Sequence, residues 1–199
     1  MKTLNNRFDK KEKIIKEYNK TSQFYDNRYG EIQKGKFRFI LQSFNLFNKI
    51  ILDAGCGTGL IIEYITGSLK QKDKTWYLYV GIDISWNMLK IFKSKINSLD
   101  LKKNHNLILS DIENIPLRKD KFDLIFSFTS LQNLPNIEKG TKYLWNVGKN
   151  SARINLSILK KNIKINDILK NLKQKIKISK IIDDKNLEDI IIFGEIIKR

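Results

Sequence analysis

Short apolar runs alternate along the chain with segments in which apolar residues recur every three or four positions. The runs predict buried strands, whereas the second spacing predicts helices that bury one face. Ile50, Ile51 and Leu52 form such a run directly before an acidic residue and a glycine-rich loop. The predicted strands cover residues 50–52, 76–82, 107–109, 122–128, 154–159, 176–182 and 190–197.

Helical spacing fills the intervals between the predicted strands. Ser85 stands where a side chain caps a helix, and Pro135 with Asn136 opens another helix. The helices predicted in this region are 61–69, 86–96, 135–147 and 165–172. Ahead of the first strand, the pattern predicts a helix over 7–20, an aromatic connector over 24–30 and a second helix over 37–44.

The alternation of strands and helices implies a parallel sheet with helices on both faces. The last two runs are joined by a polar turn at 183–186, which is typical of an antiparallel hairpin. We therefore expect a single α/β domain, a three-layer sandwich with a mostly parallel seven-stranded sheet. Within it, residues 1–45 are expected to form an N-terminal helical arm and residues 46–199 the main domain.

Composition sets the broad class of protein. Hydrophobic residues make up 41% of the 199, which is enough for a core and argues against a disordered basic tail. No apolar stretch approaches the roughly 20 residues that a membrane helix needs, and the first residues lack the apolar segment of a signal peptide. We expect a soluble, cytoplasmic protein that does not contact membranes.

The formal charge of +17 suggests a nucleic-acid partner, because clustered basic residues release counterions from phosphates. Only six of the 38 basic residues are Arg, however, and the lysines span the whole chain. Lys is the weaker residue for bidentate recognition of phosphate or guanine. The charge alone therefore leaves the partner open.

Cys56 is the only cysteine and His105 the only histidine. An intrachain disulfide is impossible, and metal sites built from Cys and His clusters are excluded, so we expect no metal. Nucleophilic catalysis with a His base would have to use His105, which the sequence places in a charged turn after Lys102 and Lys103. That arrangement is not favoured, and no catalytic residue is assigned.

The glycine-rich loop after the first predicted strand is the main candidate for a binding site. Asp53 is followed by Gly55, Gly57 and Gly59, which let the backbone turn sharply and approach a ligand. Leu60 stands where a dinucleotide fingerprint needs its third glycine, and the loop lacks the Gly-Lys-Ser/Thr ending of a phosphate loop. Because Asp53 would repel a pyrophosphate, a cationic, amino-bearing ligand fits this loop better.

Three segments in order resemble a known family. Residues 52–59 read LDAGCGTG, residues 80–85 read VGIDIS, and residues 110–116 read SDIENIP. On these motifs the chain resembles the class I (Rossmann-like, seven-stranded) S-adenosylmethionine-dependent methyltransferases, among them the small methyltransferase-domain proteins. The resemblance covers about residues 50–135, and the segment 18–36 looks like the entry arm of such enzymes.

The resemblance implies S-adenosyl-L-methionine as cofactor and a position for each part of it. Asp53 and the glycine loop would hold the aminoacyl end, Asp83 the ribose hydroxyls and Asp111 the adenine amino group, with Phe128 near the transferred methyl. The implied cofactor-binding residues are Asp53, Gly55, Cys56, Gly57, Gly59, Asp83, Ile84, Met88, Asp111, Ile112, Phe128, Tyr25 and Tyr29.

The resemblance also implies direct in-line methyl transfer, because the sulfonium carries its own leaving group and needs no protein nucleophile. Residues 127–133 lack the Asn/Asp-Pro-Pro-Tyr/Phe motif of amide methylation, and Cys56 belongs to the loop, which disfavours carbon-5 methylation of pyrimidines. Gln132 or Asn133 occupies the region where many small relatives carry His, and either one orients an acceptor or caps the next helix.

The acceptor stays open between a small molecule and an RNA or translation component, the latter favoured by the basic surface. A small activator subunit is compatible with an RNA target, because the chain has no large insertion for RNA binding. A non-catalytic methyltransferase-like binding subunit is a third alternative. The oligomeric state does not follow from the sequence.

Overall fold

The computed structural model describes residues 2–41, 46–68, 77–161 and 165–198, with side chains from residue 9 to 40 in the first range. The predicted elements that reach residues 44, 69 and 76 therefore run partly outside the described residues.

A mixed sheet forms the centre of the described chain. Its strand order is β3-β2-β1-β4-β5-β7-β6, and only β7 runs antiparallel to its neighbours. The predicted mostly parallel seven-stranded sheet is confirmed, with the second strand of the C-terminal hairpin inserted between β5 and β6. The strands are β1 (Ile50–Ala54), β2 (Leu78–Asp83), β3 (His105–Leu109), β4 (Phe122–Phe128), β5 (Gly148–Leu159), β6 (Ile176–Ile182) and β7 (Asp189–Ile196).

Helices cover both faces of this sheet, which confirms the predicted three layers. One core contains Phe37, Ile62 and Phe92 from the first three helices, and the other contains Leu144 and Ile168 from the last two. Among the described residues, no helix combines the length and apolar character needed to cross a membrane. The helices are α1 (Lys2–Leu41), α2 (Leu60–Ser68), α3 (Trp86–Ser98), α4 (Ile137–Val147) and α5 (Ile165–Lys173).

The predicted aromatic connector over 24–30 is wrong, because α1 runs through it as one helix of 40 residues. Tyr18, Tyr25 and Tyr29 are seven and four positions apart, so a helix places them on one face. Their rings are in contact, with centroids 6.4 Å apart for Tyr18 and Tyr25 and 4.9 Å apart for Tyr25 and Tyr29. These three tyrosines are therefore a partly buried stripe along one helix rather than a break in it.

His105 is also placed differently from the prediction of a charged turn. It begins β3, pairs with Tyr79 in the β2–β3 register, and is 6% exposed. Its ring stacks on that of Tyr79 at 5.3 Å, and Nδ1 lies 3.0 Å from the Leu101 carbonyl oxygen. Burial lowers the pKa of His105 to about 4. The lysines before it remain in the exposed turn, whereas the imidazole belongs to the core.

Candidate functional site

The strand order reverses between β1 and β4, so the loops that leave their carboxyl ends diverge and open a crevice. The main cavity in this crevice has about 710 Å³ of empty space, including the part that is open to solvent. A side pocket adjoins it and shares the lining residues Tyr25, Gly55, Gly57 and Phe128. The glycine loop therefore borders two adjacent spaces.

The three loop glycines have positive φ angles of 83°, 54° and 79° at Gly55, Gly57 and Gly59. A Cβ on Gly55 would lie 2.1 Å from Ser130 Oγ, and one on Gly59 would lie 2.2 Å from the Phe92 ring. A Cβ on Gly57 would meet nothing within 4 Å. Gly55 and Gly59 are therefore needed for packing, whereas Gly57 borders open space.

Asp83, at the end of β2, fastens the glycine loop to the second strand. Its Oδ2 accepts a hydrogen bond from the Gly57 amide at 2.9 Å, and its Oδ1 accepts one from the Ser85 amide at 2.8 Å. Burial raises its pKa, and the backbone donors oppose that rise. Each carboxylate oxygen keeps a further lone pair, so this preoriented side chain can still accept from a diol such as a ribose.

Asp53, the last acidic residue before the glycine loop, is hydrogen-bonded to Tyr79 of the neighbouring strand β2. The Tyr79 hydroxyl donates to Asp53 Oδ2 at 2.5 Å, and Asp53 is only 2% exposed. Burial raises the pKa of Asp53 to about 7; the hydrogen bond from Tyr79 opposes the rise, and the charge of Asp83 adds to it. A cation in the side pocket would favour the ionised form of this carboxyl.

Asp111 meets a cation from the arm. Its Oδ1 accepts from the Glu113 amide at 2.8 Å, and its Oδ2 lies 2.5 Å from Lys11 Nζ, which also contacts Glu113 Oε2 at 2.5 Å. The Lys11 ammonium thus occupies one carboxylate oxygen of the residue to which the family resemblance assigns the adenine amino group. A carboxylate oxygen can accept more than one hydrogen bond, so Asp111 can still accept from a further donor while it holds Lys11.

Helix α1 lies along the cavity and supplies Ile14, Tyr18 and Tyr25 to its wall. Asn133 Nδ2 donates to the Tyr18 hydroxyl at 2.9 Å, and burial raises the pKa of Tyr18 to about 12. Asn19 Oδ1 accepts from the Ser85 hydroxyl at 2.7 Å, at the start of α3. These contacts hold the arm against both sides of the crevice.

A buried ion pair between Lys36 and Asp189 attaches the C-terminal part of α1 to the core. Lys36 Nζ lies 2.9 Å from Asp189 Oδ2 and donates to Thr129 Oγ1 at 2.6 Å. Thr129 and Ser157 donate to the same Asp189 oxygen at 2.8 and 2.7 Å. Thr129 follows β4 with a φ of 54°, a strained conformation for a β-branched residue. The network therefore fixes a strained residue in the wall of the main cavity.

The structure brings most of the predicted site residues together. Asp53 and Cys56 line the side pocket, whereas Gly59 and Tyr29 line neither space, because they pack against Phe92 and Tyr25. The assignment of each to a cofactor stays a prediction. The main cavity is lined by the predicted residues Tyr25, Gly55, Gly57, Asp83, Ile84, Met88, Asp111, Ile112 and Phe128.

The sequence reasoning missed most of the arm's share of the site. Lys11, Ile14 and Tyr18 were not predicted, but together with the predicted Tyr25 they follow one another at intervals of three, four and seven positions, and this helical spacing was the signal that could have found them. The sequence left open whether Gln132 or Asn133 orients an acceptor or caps the next helix. Asn133 lines the main cavity, whereas the Gln132 side chain donates a hydrogen bond to the Thr129 carbonyl oxygen and lines neither space. Other missed lining residues are Gln33, Phe37, Thr58, Leu60, Ile61, Ser110, Thr129, Ser130, Leu134 and Pro135.

Comparison with known proteins gives one family and several relatives. Residues 52–155 match a family model described as a methyltransferase domain. Among curated proteins, malonyl-[acyl-carrier protein] O-methyltransferase 2 of Ilyobacter polytropus is 36% identical over 130 residues, which are 63% of this chain and 46% of that protein. The chain spans about half the length of the curated relatives it matches.

Two solved structures illustrate the shared fold. Magnesium protoporphyrin IX methyltransferase from Synechocystis PCC 6803, with bound S-adenosylmethionine, aligns with a TM-score of 0.73 at 19% identity, over 94% of this chain and 96% of that one. A complex of the Haloferax volcanii Trm112 methyltransferase activator with a methyltransferase aligns with a TM-score of 0.70 at 9% identity, over 92% and 98% of the two chains.

Proposed function

The chain belongs to the methyltransferase-domain family of class I S-adenosylmethionine-dependent methyltransferases, and from this premise we propose that it transfers a methyl group from that cofactor to an acceptor. The observation that carries the proposal is the convergence of Asp53, Asp83 and Asp111 around one glycine loop. Bound S-adenosylmethionine supplies an electrophilic methyl group together with its leaving group.

The described residues fit this cofactor by their chemistry. Asp83 is an oriented acceptor for the ribose hydroxyls, and Asp111, which also holds Lys11, keeps acceptor capacity for the adenine amino group. Ile84 and Met88 give the cavity an apolar wall between these two acids. Open space at Gly57 lets a ligand reach the loop backbone. The protein's contribution to the reaction is then orientation and exclusion of water.

Calorimetric titration of the purified chain with S-adenosylmethionine tests cofactor binding. We expect Asp83→Ala to weaken binding at least about tenfold, because a charge-assisted acceptor for two hydroxyls is lost. Asp167→Ala, which removes an exposed carboxylate on α5, is the matched control and should bind like wild type. Circular dichroism checks the fold of Asp83→Ala, because this side chain also clamps the glycine loop. Absence of binding below millimolar cofactor in the wild-type chain would overturn the proposal.

For the acceptor atom we propose an oxygen, and specifically a carboxylate. The Ilyobacter polytropus relative is named for O-methylation of a malonyl group, whose free end is a carboxylate. A carboxylate is already ionised at neutral pH and needs no general base. This agrees with the lining of the two spaces, which contains no histidine among the described residues. Tyr18 stays protonated and can donate a hydrogen bond rather than accept a proton.

Incubation with methyl-labelled cofactor and a cell extract split into RNA, protein and small-molecule fractions tests the acceptor class. Methyl esters release their methyl group in mild base, so we expect base-labile label in the protein or small-molecule fraction. Base-stable label confined to RNA would contradict the carboxylate proposal and favour the alternative of an RNA or translation-component substrate. Cofactor binding without any label would favour a binding subunit, and the assay would then be repeated with an activator of the Trm112 kind.

A further inference from the structure

The side pocket contains a buried hydrogen-bond acceptor that the protein leaves unpaired. Gln33, on α1, lines this pocket and is 7% exposed. Its Oε1 has no hydrogen-bond partner within the described part of the chain. Gln33 therefore presents a buried, unpaired acceptor in the wall of the side pocket, which Tyr25 and Asp53 also line.

The other polar groups of the side pocket favour a ligand that donates hydrogen bonds. The amides of Gly55 and Cys56 both donate to the Ile82 carbonyl oxygen, at 2.8 and 3.0 Å, and the Gly57 amide donates to Asp83. These loop donors are therefore engaged within the protein. Asp53 contributes a carboxylate to the same pocket. The side pocket thus offers a carboxylate and an amide oxygen, which together suit a cationic donor.

Buried polar groups without partners are uncommon, and a ligand is one physical reason for such a group in a pocket wall. We propose that Gln33 is a cofactor-binding residue whose Oε1 accepts a hydrogen bond from the ammonium of the aminoacyl end. Asp53, which accepts a hydrogen bond from Tyr79, supplies the negative charge, and the Gln33 oxygen orients the ammonium. This inference rests on the proposed function, because it assumes that the aminoacyl end enters the side pocket.

The assignment links the arm to the cofactor. Gln33 is separated by three positions from Lys36, whose ion pair with Asp189 holds this part of α1 on the core. The unpaired oxygen is therefore presented from a fixed helix rather than from a loop, which favours a defined geometry. Bound cofactor would then contact the glycine loop and the arm at the same time.

The test compares two ligands that differ only in this end. S-adenosylhomocysteine carries the ammonium, whereas 5′-methylthioadenosine has the same nucleoside without the aminoacyl group. We expect Gln33→Met, which keeps the length of the side chain, to weaken S-adenosylhomocysteine at least about tenfold in calorimetry and to change methylthioadenosine less than about twofold. Gln23→Met, an exposed position on the same helix, is the control and should alter neither affinity.

If Gln33→Met folds poorly, a second variant, Gln33→Glu, tests the same inference. Gln33→Glu retains an acceptor oxygen and adds charge, so the preference for S-adenosylhomocysteine over methylthioadenosine should be kept or increased. Equal loss of both ligands in Gln33→Met, or no loss of either, would overturn the role of Gln33. A wild-type chain that binds neither ligand would instead overturn the proposed function, so the two failures are distinguishable.

Discussion

Gly57 differs from the neighbouring loop glycines in what surrounds its missing side chain. A methyl group at Gly55 or Gly59 would collide with Ser130 or Phe92, whereas at Gly57 it would project into open space beside both cavities. The sequence presents the three glycines as equivalent members of one motif. Only their surroundings separate two packing positions from one that borders the two cavity spaces.

We predict that Gly57→Ala folds but binds S-adenosylmethionine at least about tenfold more weakly, because the new methyl group occupies ligand space. The positive φ should cost about 1 kcal/mol in the free energy of unfolding. Urea denaturation and calorimetry measure the two effects separately. Gly67→Ala, at an exposed helical glycine with no atom near the new methyl, should be slightly stabilising. Unchanged cofactor affinity in Gly57→Ala would contradict the placement of the ligand.

His105 provides a prediction about acid stability. Its folded pKa of about 4 lies below the ordinary value of 6.5, so its contribution to stability is complete above pH 6.5 and is lost as the pH falls from 6.5 towards 4. We expect His105→Phe to flatten the fall in melting temperature over this window, because Phe does not titrate. Methyl transfer should be retained, since His105 lines neither cavity space. Loss of transfer in a folded variant would show that the histidine has a role in the reaction.

At the scale of elements, helix α1 contributes more residues to the site than the sequence pattern predicted. It supplies Lys11 to Asp111, Tyr18 to the cavity wall and Gln33 to the side pocket, and it is held to the core through Lys36. Asp53 and Asp83 lie at the ends of β1 and β2 and Asp111 follows β3, and the family resemblance had assigned all three to the site. The arm encloses them, which the division into two short helices and a connector did not predict.

We expect Lys36→Met to lower the free energy of unfolding by about 3–5 kcal/mol, because it leaves the buried Asp189 carboxylate without its cation. The matched control is Lys34→Met, two positions before Lys36 on the same helix, which breaks an exposed ion pair with Glu31. That control should leave the urea midpoint unchanged, since exposed pairs contribute little. Similar midpoints for the two variants would show that the arm is not held by this ion pair.

At the scale of the whole molecule, the excess positive charge belongs to the surface of the methyltransferase-family fold. Basic residues occur from Lys2 to Arg199. In the described part of the chain they lie on the arm, the helices and the sheet edge, and several of them pair with acids. With 38 basic and 21 acidic side chains, unpaired like charges repel one another over the whole surface. This repulsion is a property of the complete fold, and no single pair accounts for it.

We predict that raising NaCl from roughly 20 to 300 mM increases the melting temperature, because salt screens self-repulsion at a net charge of +17. A variant with two exposed lysines reversed, Lys102→Glu and Lys185→Glu, carries four charges fewer and should gain less from the same salt. Differential scanning calorimetry measures both series. A melting temperature that falls with salt would indicate that ion pairs outweigh the repulsion.

The sequence by itself determined the features that depend on neighbouring residues. Periodicity predicted every strand in the described chain, and the spacing within residues 52–59 predicted a loop that favours a cationic ligand. The family resemblance also assigned Asp53, Asp83 and Asp111 to one site, which agrees with the rule that ligands bind at the carboxyl ends of parallel strands. These inferences hold because helix and strand periods and motif spacing act over a few residues.

The tertiary structure decided what depends on distant contacts. Lys36 and Asp189 are 153 positions apart, and only folding shows that a lysine of the arm is buried. The continuity of α1 through its aromatic segment and the burial of His105 have the same origin, since packing against the core overrides local composition. The unpaired oxygen of Gln33 belongs to this group as well, because a missing partner is visible only when all neighbouring groups are in place.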